Sequence, residues 1–156
     1  MDQQKLDFLT NDFIFHLKHL APDAKGVWGS MNGQQMVEHF SDVVRNASGR
    51  LVLPTVNQGE VLQQFRDFLF SDKPFQKNLK NPFMSETPSP VRHETMQSAI
   101  AELEKELGYF KNHFTTNPES TTTNPFFGEL DFGGLVQLLY KHAQHHLKQF
   151  GLLNHS

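Results

Sequence analysis

The sequence predicts an all-α protein, an antiparallel four-helix bundle with a long irregular connection between its second and third helices. Three observations carry this expectation. Four segments repeat apolar residues at steps of three and four, the period of a helix with one buried face. Stretches rich in proline or β-branched residues never alternate as strands do, so no sheet is expected. One connection, residues 50 to 92, is far longer than the others, as bundles with a crossover allow.

Leu6, Leu9, Phe13, Leu17 and Leu20 mark the first helix, from about 3 to 20, stopped by Pro22. A short GVWGSM segment follows. Asn32 then starts a second helix, with Gln35 three residues later, a capping box with Asn in place of Ser or Thr. That helix carries Met36, Phe40, Val43 and Val44 and ends near Gly49. Residues 60 to 70 (EVLQQFRDFLF) make a short helix. From Ser71 to Pro90 the chain holds Pro74, Pro82, Pro88 and Pro90, which predicts an irregular excursion. Met96, Ile100, Leu103, Leu107, Phe110 and Phe114 mark a long third helix of the bundle. After the polar loop TTNPESTTTNP, the segment FFGELDF leads into the last helix, roughly 132 to 152.

The bulk chemistry narrows the function. With 156 residues and no internal repeat, the chain reads as a single domain over 1–156. A formal charge of −3 and the lack of a basic stripe give no footprint for nucleic acid or an anionic membrane. The absence of cysteine excludes disulfides, thiolate ligands and a cysteine nucleophile. No run reaches the length of a membrane span, and MDQQKLDFLTND lacks a basic region followed by an apolar run. A cytoplasmic location is therefore expected.

The histidines carry the chemistry. In KHAQHHLKQFGL, His142 and His146 stand four residues apart on one helix face, where both imidazoles can close on one metal ion. At about 100° per residue they continue the Leu135–Leu138–Leu139 stripe, with Gln149 nearly in line with His142. His39, in QQMVEHFSD, sits at the edge of the apolar face of the second helix. Two histidines from one helix and one from another leave coordination positions open, as catalytic metal sites do. Asp42 and Gln149 are placed to orient the imidazoles from behind. Glu38, Asp42 and His145 are the nearest groups for handling a proton. The Phe- and Asn-rich loops 71–92 and 115–131 are the expected substrate walls. Nine histidines in one chain also produce HxxxH by accident, so a packed or solvated pair fits the spacing too. His16 and His19 read as surface residues, and the Glu102/Glu104/Lys105/Glu106 run as a solvated helix face. His93, His113 and His155 receive no role.

WGSMNGQQMVEHFSD followed by KHAQHHLKQFGL resembles the DinB/YfiT-like superfamily of metal-dependent proteins. There, a His of the second helix pairs with H-x-x-H-H, usually followed by Gln, in the last helix. NPFFGELD before the last helix fits a branch with no assigned function, and the resemblance covers most of the chain. It implies a four-helix bundle holding a divalent metal, nickel or zinc, on His39, His142 and His146, with His145 the extra histidine of the motif. It also implies a small-molecule substrate, in some relatives a low-molecular-weight thiol, and a homodimer by analogy. One departure is Gly133–Gly134, where bulkier residues open the family's last helix. Gly costs about 1 kcal/mol relative to Ala inside a helix, so a later helix start or a wider pocket is expected.

Three functions of different class follow. One is a three-histidine metalloenzyme, a thiol-dependent transferase or a hydrolase; a ligand-borne sulfur is compatible with a chain without cysteine. The alternative is a non-catalytic metal- or ligand-binding helical module with a structural or stress-response role. A metal-free, hydrogen-bonded histidine cluster in an interaction domain is a third. All-imidazole sites suit zinc, nickel, copper and iron alike.

Overall fold

The computed structural model describes residues 2–76 and 88–153. Pro82 of the expected excursion, and His155, lie outside these. The chain is mostly helical, with one small two-stranded sheet. The first helix, α1, covers 2–18 in three parts: Asp2–Asp7, a π-helical stretch Phe8–Asp12, and Phe13–Lys18. The widened turn takes up an extra residue, and Leu6, Leu9, Phe13 and Leu17 all fall on the buried side.

Helix α2 is Gly33–Ala47, and its start is the expected capping box. The Gln35 backbone N–H donates to Asn32 Oδ1 at 2.8 Å, and the Asn32 N–H donates to Gln35 Oε1 at 2.9 Å. Helix α3 is Gly59–Leu69. Helix α4 is Met96–Thr116, opened by Thr95, whose hydroxyl accepts from the Ser98 N–H at 3.0 Å. Helix α5 is Phe132–Gln149. The expected later start does not occur. Asp131 caps α5 by accepting from the Gly134 N–H at 2.9 Å, and a Cβ on Gly134 would stand 3.1 Å from Leu130. The glycines serve close packing at the helix entry.

The expectation of no sheet is corrected by a hairpin between α4 and α5. Strands β1 (Thr122–Asn124) and β2 (Gly128–Leu130) pair antiparallel, with Thr123 opposite Glu129. The Asn124 side chain accepts from the backbone N–H groups of Phe126 and Phe127 at 2.9 and 3.1 Å. That local turn lets a proline-containing polar run reverse direction. Helix α3 grips the hairpin through Arg66, which donates to the carbonyls of Phe127 and Glu129, both at 2.8 Å.

Helix α2 packs on α4 and α5, and α1 packs on the same two helices. Their shared core is aromatic: Phe13, Phe40 and Phe110 are fully buried, and Phe13 meets Phe40 at 4.8 Å between centroids. Burying one such ring contributes about 1.5–3 kcal/mol. The acidic run on α4 needs one correction. Glu106 is only 5% exposed, held by ion pairs with Arg50 and Arg45, because it lies on the face turned to the end of α2 and the chain just after it. Among the described residues, no helix is long and apolar enough to cross a membrane.

Candidate metal centre

Helix α5 presents His142 and His146 one turn apart, and α2, packed beside it, presents His39. The rings of His142 and His146 lie 4.5 Å apart between centroids. The His39 ring stands 5.5 Å from His142 and 5.6 Å from His146. One nitrogen from each imidazole comes within 4.8 Å of the others, so the group could hold a metal ion. His39 and His142 are half-buried and His146 is buried.

The hydrogen bonds behind His146 fix its protonation pattern. The Gln149 Nε2 amide donates to the Trp28 carbonyl at 3.0 Å, so its Oε1 faces the His146 ring and lies 2.7 Å from Nδ1. An amide oxygen only accepts, so Nδ1 carries the proton and Nε2 is left with a bare lone pair. That lone pair faces His142 Nε2 across 2.8 Å. Two lone pairs at this separation repel, so a proton or a cation must lie between them.

A metal fits that demand. Imidazole nitrogens bind zinc at about 2.0–2.1 Å, which puts two of them about 3.3 Å apart on a tetrahedral ion. The trio brackets this spacing, from 2.8 Å for the closest pair to 4.8 Å at most. The electrostatics agree. Burial lowers the His39 pKa to about 4, an effect only partly offset by the charge of Asp42. His142 and His146 are pushed well below the ordinary histidine range, chiefly by burial and further by neighbouring histidines. All three are therefore neutral at pH 7, the form that binds metals.

The surroundings divide into an inner and an outer side. Phe40 lies beneath the trio, 5.3 Å from His142 and 6.2 Å from His146. On the outer side Phe75 stands 5.7 Å from His142 and 6.0 Å from His145, and Trp28 stands 5.5 Å from His145. Of the 71–92 and 115–131 loops, Phe75 stands beside the trio, with Phe127 stacked behind it. The loop before α2 locks the far side: the Val27 N–H donates to the Gln149 carbonyl at 2.7 Å. Gly29 has φ +81°, and a Cβ there would stand 2.6 Å from Gln149 Nε2.

Two expected supporting roles change. Gln149 orients His146 as anticipated, but Asp42 turns away from His39 to pair with Arg45 and Arg92. Glu38 is buried and accepts from the backbone N–H groups of Arg92 and His93 at 2.7 and 3.1 Å and from Gln34 at 3.1 Å. Neither carboxylate is placed to handle a proton at the trio. His145 sits 5.5 Å from His146 outside the trio, and burial lowers its pKa, opposed by a hydrogen bond that its ring donates to the Phe75 backbone carbonyl. The Trp28 carbonyl and Lys141 were not legible as site residues, since a carbonyl leaves no mark in sequence and a helical lysine reads as solvent-facing. Family models, curated proteins and solved structures yield no match to this chain.

Proposed function

We propose that this chain is a metal-dependent protein of the DinB/YfiT-like type, with α1, α2, α4 and α5 as its four-helix bundle. A divalent ion, nickel or zinc, would sit on His39, His142 and His146. The observation that carries this reading is the pair of Nε2 atoms facing each other at 2.8 Å with the His146 proton held on the opposite nitrogen by Gln149. Such an ion supplies Lewis acidity, lowering the pKa of a bound thiol or water toward neutrality. The chain's own residues hold, orient and exclude. Gln149 keeps His146 in the ligating tautomer, Phe40 keeps water from the inner side, and Phe75 and Trp28 border the outer side. The reaction class that fits is thiol-dependent transfer or hydrolysis, on a small molecule entering beside Phe75. His145 is the base left for moving a proton.

A second reading has an observation in its favour. Glu38 and Asp42 are both occupied by other partners, which suits a non-catalytic metal- or ligand-binding module. Elemental analysis of the purified, untagged protein beside His142→Ala tests the shared premise. About one equivalent of zinc or nickel per chain is expected, lost in the variant. No metal as purified, and none taken up on titration, would overturn the enzyme reading and the metal-binding form of the second. With metal present, assays of thiol transfer and ester hydrolysis separate them.

A further inference from the structure

We infer that the outer side of the histidine trio takes a ligand whose metal-binding atom is joined to a flat apolar body, and that Phe75 selects that body. Lys141 is the positioning residue that holds Phe75 there. This rests on the metal-centre reading above and deepens it.

The inner approach is shut by Phe40, which has no exposed surface. The approach left is the outer side, where the half-buried Phe75 stands beside His142 and His145. Phe75 belongs to a slab: it stacks on Phe68 at 5.8 Å and 21° between planes, and on Phe127 at 6.4 Å and 8°. A small polar ligand gains nothing from that surface. A planar apolar one gains ring contacts and sheds water, an effect of about tenfold in affinity for one well-placed ring.

The slab is tied to the ligand-bearing helix by an unusual residue. Lys141, immediately before His142, is only 7% exposed. Its ammonium donates to the carbonyls of Phe68, Leu69 and Ser71 at 2.7, 3.3 and 3.0 Å and lies 4.2 Å from the Phe68 ring centroid. Gln137 adds a bond to the Leu69 carbonyl at 2.9 Å. The Phe68 and Leu69 carbonyls end α3 and the Ser71 carbonyl follows it, at a helix terminus where acceptors lack intrahelical partners. An apolar side chain could fill the same space, whereas the ammonium fixes the end of α3 against α5. Phe75 follows four residues after Ser71 and inherits that position.

The test uses the full chain loaded with cobalt(II), whose visible absorption reports ligand binding at the ion. Acetohydroxamate and benzohydroxamate carry the same metal-binding head and differ in the phenyl body. The native protein is expected to bind benzohydroxamate about tenfold more tightly. In Phe75→Ala and Lys141→Met that ratio falls to near unity while acetohydroxamate affinity stays within about twofold, and Lys141→Arg restores it. A ratio near unity in the native chain, or one retained in Phe75→Ala, overturns the inference. Retention in a folded Lys141→Met variant overturns the role of Lys141, and loss of folding in that variant leaves Phe75→Ala to decide. A chain that develops no cobalt spectrum overturns the metal centre itself, and this inference with it.

Discussion

Two polar regions share helix α5, and they differ in what their polar groups are left to do. Near its start lies a cleft of about 780 Å³ lined by Lys5, Arg66, Asp131 and Gln137 among others. Near its end lies the histidine trio, outside that cleft. In the cleft the polar groups already satisfy one another. Lys5 donates to Gln137, Arg66 to two hairpin carbonyls, and Asp131 accepts from Gly134. At the trio, His142 Nε2 and His146 Nε2 are partners across 2.8 Å, bridged by a single proton in the metal-free protein. Volume marks the first region, and the second is marked by a shared proton whose place an ion could take.

If that contrast is right, substitutions at the two ends of α5 should separate metal affinity from stability. The largest effect is expected from Gln149→Leu, which frees His146 to place its proton on Nε2. Metal affinity should fall about 10–100-fold, measured by competition with a chromogenic chelator. An unchanged affinity would mean that the ring is held by packing alone.

The next effect concerns the metal-free protein. Unfolded histidines take up protons near pH 6.5, while folded His39 does so only near pH 4, because burial disfavours its charge. The unfolded state therefore binds more protons between these values. The stabilisation is complete above about pH 6.5 and is lost as pH falls toward 4. For His39 alone this amounts to about 1–2 kcal/mol by pH 5. Urea unfolding of chelator-treated protein at pH 7.5 and 5 measures it, and His39→Gln should reduce the difference. Equal slopes in both proteins would place the sensitivity elsewhere.

The smallest effect belongs to the cleft end. Asp131→Ala removes a helix cap worth about 1 kcal/mol, so thermal unfolding should shift while metal content stays at its native value. A fall in bound metal would show that the two ends of α5 are not independent.

The parts legible in the sequence are those written in side-chain periodicity or local capping chemistry. The Leu6–Leu9–Phe13–Leu17 stripe, the Asn32–Gln35 box and the apolar face of α4 need only neighbours along the chain, and each is observed. The trio was legible because HxxxH shares a helix face and His39 stands at the edge of the apolar face of another helix, a partnership the resemblance also implies. Other features depend on contacts distant in sequence. Glu106 is buried where Arg45, in the last turn of α2, and Arg50, just beyond it, reach it. Lys141 is buried because α3 ends against it. Asp42 serves Arg92, fifty residues on, rather than His39, three residues before it. The hairpin escaped notice because its turn is made by an Asn124 side chain inside a run that reads as loop.

Gly29 extends this dependence to a position with no side chain. Its missing Cβ leaves room for the Gln149 amide, which would otherwise meet an atom at 2.6 Å. A methyl group there would unseat the amide, and a His146 free to switch tautomers would offer an N–H where an ion needs a lone pair. Drift at a loop position remote in sequence from both α5 histidines would then surface as altered metal preference. The ligand field of an ion held on this trio would be set partly by an empty space the size of one carbon.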